Sequence, residues 1–219
     1  NLTDGSQRND VLTDISPGVV WSQDASVIFY VRVDASWRPF QVWRHEVGSG
    51  APDVLVFEEP DERYFVGIGK TQSEKFIMIS VGSKITTELR YIPADQATAE
   101  FQLVWPREVG TEYFADHLVM GDTDYWIYLH NRNHPNFELA LSTITSPEDL
   151  TTLIAGKDTV RLEDVDVTAR YVYVSYRAEA LPRVSIMPIT ESGLGEPAPI
   201  SHVGDLTAFS VGGAAEFDP

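Results

Sequence analysis

Apolar residues along the chain come in short bursts separated by polar turns. The longest unbroken apolar runs are four or five residues, as in Val27-Ile28-Phe29-Tyr30-Val31. Bursts of this length bounded by turn residues predict strands. The bursts recur in a fixed order: a short strand, a polar turn, a strongly apolar strand, a loop, a more polar strand, a turn and a last short strand. In the first unit, 17–59, strands are predicted at 18–21, 27–33, 40–47 and 53–58. In the second, 65–104, they fall at 65–70, 76–81, 88–92 and 101–104. In the third, 113–154, they fall at 113–118, 125–130, 138–144 and 151–154. The fourth, 162–202, predicts 163–167, 171–176, 183–189 and 199–202.

The second strand of each unit is the clearest marker. Phe29, Ile77, Ile127 and Tyr173 lie 48, 50 and 46 residues apart. Strands spaced about ten residues apart would also suit a β-sandwich. A period near 50 with four strands per unit instead points to propeller blades. No segment carries a sustained helical stripe. Ser146-Pro147-Glu148-Asp149-Leu150 has a helix cap and a proline at the first position, but no apolar run follows. The expectation is an all-β fold, a partial β-propeller of about four four-stranded antiparallel blades. A half-blade is expected at each end: residues 1–12 as the close of a preceding blade and 207–212 as the first strand of a following one. Such ends predict excision from a larger propeller, because a closed ring leaves no open sheet edges.

Composition sharpens this picture at three points. Hydrophobic residues make up 43% and aromatic residues 11%, enough for a packed core rich in strand formers. The formal net charge of −17 opposes binding to nucleic acid or anionic lipid and favours cationic partners. The chain has no cysteine, which excludes disulfides, thiol catalysis and thiolate metal sites and fits a reducing compartment; the expected location is cytoplasmic. The N-terminal residues lack the basic and apolar segments of a signal peptide.

Candidate chemistry is sparse. Gly48-Ser49-Gly50, Gly82-Ser83 and Ser192-Gly193 lack the spacing of a nucleophile elbow and read as turns. His130 and His134 have the spacing of a helical zinc pair but fall in a loop containing Pro135. They read, with His45, His117 and His202, as ordinary hydrogen-bonding histidines. Gly67 and Gly69 before Lys70-Thr71 lie in a strand and do not form a phosphate loop. Acidic clusters recur where one blade hands over to the next: Glu58-Glu59-Pro60-Asp61-Glu62, then Glu108 with Glu112, then Leu162-Glu163-Asp164-Val165-Asp166. These are solvated junction loops or the acidic mouth of a channel that selects basic peptides. Neither a metal nor a cofactor is expected.

Specific strings carry a resemblance. Arg38-Pro39-Phe40-Gln41-Val42-Trp43-Arg44-His45 with Gly48 resembles the propeller of the oligopeptidase B branch of the prolyl oligopeptidase family. The resemblance continues through Phe57-Glu58-Glu59-Pro60-Asp61-Glu62-Arg63-Tyr64-Phe65 and Thr86-Thr87-Glu88-Leu89-Arg90. It resumes at Arg107, Gly110-Thr111-Glu112-Tyr113, Asp116-His117, Asn136-Phe137 and Leu162-Glu163-Asp164-Val165. It implies a seven-bladed propeller over an α/β-hydrolase domain that cleaves short peptides after Arg or Lys through a Ser-His-Asp triad. It also implies that the propeller covers the active site and limits access by size. None of the triad maps onto this chain, so no catalytic residue is assigned. The residues expected to gate substrate or meet the hydrolase domain are Arg38, Glu59, Glu88, Arg90, Glu112, Asp116, Glu163 and Asp164. The implied partners are that domain and basic oligopeptides. The alternatives are a stand-alone propeller that binds a protein or peptide partner, and a metal-dependent propeller enzyme.

Open blade edges predict self-association. Light scattering should give a mass that rises with concentration; a strictly monomeric species across a wide range would contradict this.

Overall fold

The structure, a computed structural model, describes residues 3–7, 10–201, 217 and 218. Every regular element among them is a β-strand, and the strands form four antiparallel sheets in chain order. The first sheet contains β1 (Ile15–Trp21), β2 (Val27–Val33), β3 (Pro39–Glu46) and β4 (Val54–Glu58). The second contains β5 (Phe65–Lys70), β6 (Phe76–Gly82), β7 (Thr87–Pro93) and the two-residue β8 (Gln102–Leu103). β9 (Tyr113–Met120), β10 (Thr123–His130), β11 (Glu138–Thr143) and β12 (Thr151–Ile154) make the third. The fourth is built on β13 (Val160–Val167), β14 (Tyr171–Ala178) and β15 (Leu181–Thr190), with β16 (Gly193–Leu194) and β17 (Ala198–Pro199) both paired to β15. Each sheet is thus a meander with the strand order of a propeller blade.

The chain divides into two compact units. The first comprises Asn1–Lys70, Glu74–Lys84 and Leu89–Leu103; the second comprises Thr71–Ser73, Ile85–Glu88 and Val104–Pro219. Alternation along the strands builds one core in each. In the first unit, Val20, Phe29, Val31 and Val42 pack with Val66, Ile77, Ile79, Val81 and Ile92. In the second, Leu118, Ile127, Leu139 and Leu141 pack with Val165, Val167, Val172, Val174 and Met187. Phe29, Ile77, Ile79, Ile127 and Val172 are fully buried. Each such side chain contributes about 1.5–3 kcal/mol relative to exposure.

The structure departs from the sequence pattern in instructive places. Tyr173 is not the counterpart of Ile127: it is partly exposed, and the buried residues of β14 are Val172 and Val174. A strand of Tyr and Val in alternation reads as apolar on both faces, so the pattern slips by one residue. The last strand predicted at 199–202 is replaced by β16 and β17, two residues each. Pro197 and Pro199 have no N–H to extend a ladder. Residues 3–7 and 10–12 carry no strand, and the rest of 1–12 lies outside the described residues. The strand predicted at 207–212, together with His202, lies outside the described residues. The segment at Ser146 forms turns only.

One side chain organises the connection from β4 to β5. Arg38 is buried at the end of the β2–β3 hairpin loop. Its Nη1 donates to the carbonyls of Glu59 (3.2 Å), Asp61 (3.2 Å) and Tyr64 (3.0 Å). Its Nε donates to Asp34 Oδ2 at 3.0 Å. Three linker carbonyls that make no strand ladder are satisfied by one guanidinium, whose charge is met by one carboxylate. Arg38→Ala should therefore lower stability by about 2–4 kcal/mol. Urea unfolding checks this, and an unchanged midpoint would contradict the role.

Candidate functional site

The eight residues singled out from the sequence divide between the two units. In the first, Arg38 and Glu59 both face inward. Glu59 Oε1 accepts the N–H of Asp61 at 2.9 Å, closing the turn whose carbonyls Arg38 binds. Arg90 lies with its guanidinium carbon 5.3 Å from the centre of the Phe57 ring. In the second unit, Glu88 is buried and paired with Arg107 at 3.2 Å. The Glu112 carboxylate accepts from Asn131 Nδ2 at 3.2 Å, while Asn131 Oδ1 accepts the Glu112 N–H at 2.7 Å. Glu163 pairs with Arg177 at 3.0 Å, and Asp164 Oδ1 accepts the N–H of Val165 at 2.9 Å. Most of the eight are thus engaged with their own sheet or linker.

Asp116 is different. It sits on β9, 6% exposed. Its Oδ1 accepts the N–H of Gln72 at 3.0 Å and of His117 at 2.7 Å. Burial pushes its carboxyl up to about 6; the two backbone N–H groups act against this, and the charge of Asp166 adds to it. Asp166, on β13, is itself raised by burial and by the neighbouring Asp164. β9 and β13 therefore bring Asp116, Asp164 and Asp166 into one electrostatically coupled acidic strip. Such perturbed carboxylates mark functional candidates. Asp166 was visible in the sequence only as one member of a charge run.

Beside Asp116 lies an arrangement that the sequence did not reveal. His117 is fully buried. Its Nδ1 lies 2.7 Å from Ser73 Oγ, and its Nε2 lies 2.9 Å from Asp124 Oδ1. With Asp124 ionised, Nε2 carries the proton, and Nδ1 accepts the Ser73 hydroxyl when the imidazole is neutral or donates to it when the imidazole is charged. The composition is Ser-His-Asp, but the environment is not that of a nucleophile. Thr71 Oγ1 also lies 3.0 Å from Ser73 Oγ, and the nearby Gln72 N–H is committed to Asp116. With no exposed imidazole to pass a proton to substrate, the series holds the turn Thr71–Ser73 on β9. Its members are 44 and 7 residues apart, which no short motif records.

The other histidines serve locally. His45 Nδ1 lies 2.7 Å from Asp53, which also accepts from the Tyr30 hydroxyl. His134 Nδ1 accepts the Asn136 N–H, and its Nε2 is 3.4 Å from Asp158. Burial lowers the basicity of His130, which packs edge-on to Trp105. Among the described residues, no group of three or more His, Asp or Glu is placed to hold a metal ion.

Four-stranded antiparallel meanders repeated in chain order, with coupled polar groups on the first strands of the third and fourth, define a β-propeller part. The chain belongs to the prolyl oligopeptidase family: residues 1–216 match the model described as "Prolyl oligopeptidase, N-terminal beta-propeller domain". It is 34% identical over 192 residues to dipeptidyl aminopeptidase BI of Pseudoxanthomonas mexicana, covering 85% of this chain and 26% of that protein. It is 36% identical over 137 residues to Protease 2 of Moraxella lacunata, covering 59% of this chain and 19% of that protein. Among solved structures it is similar to oligopeptidase B from Trypanosoma brucei, determined in a closed form with covalently bound antipain. That match has 30% identity and a TM-score of 0.75, and covers 85% of this chain and 28% of the other. Oligopeptidase B from Leishmania major gives 26% and 0.78, with 88% and 28% covered. The chain spans about a quarter of the length of the relatives it matches over most of its own length.

The buried carboxyl of Asp116 makes a pH-dependent prediction. The native state binds this proton more tightly than the unfolded chain does. The stabilising contribution is therefore present below the ordinary value of 3.8 and is lost as pH rises through about 6. The cost at neutral pH is on the order of 2–3 kcal/mol. Asp116→Asn keeps an acceptor for both N–H groups and removes the charge. It should stabilise the chain at pH 7 by up to that amount, with the advantage shrinking towards pH 4. Unfolding midpoints across this range check it; a variant that is less stable at every pH would contradict the assignment.

Proposed function

We propose that this chain is the non-catalytic propeller of a serine oligopeptidase that cleaves short peptides after Arg or Lys, and that in the longer protein it covers a hydrolase domain and admits substrates by size. The observation that carries this reading is the family match over residues 1–216, joined to likeness in sequence and fold to oligopeptidase B. The acidic strip of Asp116, Asp164 and Asp166 supports it, since carboxylates on first strands would favour cationic peptides. In this reading Arg38, Glu59, Glu88 and Glu112 maintain the junctions between strands, and steering falls to Asp116, Glu163, Asp164 and Asp166.

A second reading is favoured by one observation, the 34% identity to dipeptidyl aminopeptidase BI over 85% of the chain. It places the same propeller over an enzyme that removes dipeptides from a free N-terminus.

One assay separates these readings. The isolated chain and the longer protein containing it are compared on arginyl peptide amides with blocked and with free N-termini. The isolated chain should give no turnover above a mock purification. The longer protein should hydrolyse the blocked amide if it is an oligopeptidase, and only the free one if it is a dipeptidyl aminopeptidase. Turnover that follows the isolated chain through purification would overturn both.

A further inference from the structure

Trp37 is 80% exposed at the tip of the β2–β3 hairpin loop. Its φ is +64°, a left-handed backbone conformation that is costly for a bulky side chain. The residues on either side leave it little choice. Asp34 Oδ1 accepts the N–H groups of Ser36 (2.8 Å) and Arg38 (3.0 Å), and the Trp37 N–H donates to the Asp34 carbonyl at 3.0 Å. Arg38, next in sequence, is pinned by the linker carbonyls. The indole is therefore held out in water by a rigid loop.

It stands over an open cleft of about 580 Å³ lined by Asp14, Ile15, Val33, Asp34, Ala35 and Trp37. The chemistry of that cleft is specific. Ile15 and Val33 are half-buried and apolar, Trp37 offers an aromatic face, Asp14 supplies negative charge, and Asp34 is paired with Arg38. Hydrogen bonds, first from the Arg38 N–H, hold the Asp34 carboxyl below its ordinary range, so it stays ionised. The loop's own cation, Arg38, is turned inward but pairs with Asp34 through its Nε, 3.0 Å from Asp34 Oδ2, so Asp14 is the lining carboxylate on which recognition of an incoming cation rests.

We propose that this cleft binds the arginine side chain of a peptide, with the guanidinium stacked on Trp37, its stem on Ile15 and Val33, and its charge met by Asp14. Arginine suits it better than lysine, because a planar, weakly hydrated cation stacks on indole and loses less hydration. The cleft needs no hydrolase domain, so its test is independent of the proposed peptidase role.

The test follows the indole N–H resonance of Trp37 in the full 219-residue chain, assigned by its loss in Trp37→Gly. Acetyl-Arg-Arg-amide should shift that resonance saturably. The isosteric citrulline peptide, which keeps shape and loses charge, should not shift it. Asp14→Asn should weaken binding several-fold, and added salt should weaken it further. Trp37→Gly should abolish binding while melting at or above the temperature of the unaltered chain, because glycine adopts φ near +60° without strain. No saturable shift with the arginine peptide, or an equal shift with citrulline, would overturn the proposal. So would a Trp37→Gly chain that still binds the arginine peptide with unchanged affinity in isothermal calorimetry.

Discussion

Each sheet of four or five strands, none longer than the ten residues of β15, carries an apolar face that another sheet must cover to keep it from water. In each of the two units that cover is a core of alternate residues: Phe29 and Val31 with Ile77 and Ile79 in the first, Ile127 and Leu139 with Val172 and Val174 in the second. Once this is required, the connections between strands become the critical places. Their carbonyls and N–H groups have no ladder to join. Arg38 supplies the missing donors in the linker 59–64, and Asp116 accepts the stray N–H of Gln72. Polar side chains at the junctions are drawn first into holding the backbone, and only what is left over is free to meet a partner.

This explains how far the fold was legible. The four-strand repeat was written in the second strands, because β2, β6 and β10 each put a large apolar residue in the centre of a core. Phe29, Ile77 and Ile127 are all fully buried. Legibility failed where two faces look alike. In β14 the sequence Tyr171-Val172-Tyr173-Val174 offers aromatic or aliphatic residues at every position, and only packing decides that the valines go inside. It failed again at 193–199, where glycine and prolines break one strand into two fragments on the same partner.

The site was harder to read. Glu59 stands out in the sequence as part of a junction cluster and Arg38 as part of a family-like string, and nothing in their spacing says that both point into the linker. Asp116 and His117 were noticed as part of a family-like string. That Asp116 is buried against Gln72, and that His117 joins Ser73 to Asp124, depends on a turn brought in from 44 residues away. Trp37 carried no signal at all. An exposed tryptophan in sequence is one aromatic among many, and its left-handed backbone exists only once Asp34 and Arg38 have closed the loop around it.

In the proposed reading this chain supplies framework and recognition, and the Ser73-His117-Asp124 series is a fastening inside that framework. The most direct measurement is exposure of the purified chain to a fluorophosphonate, followed by peptide mass mapping. The account predicts that Ser73 remains unmodified at reagent concentrations that label an active serine peptidase to completion. Stoichiometric modification of Ser73, lost on replacing His117, would contradict it and would make the series an active site.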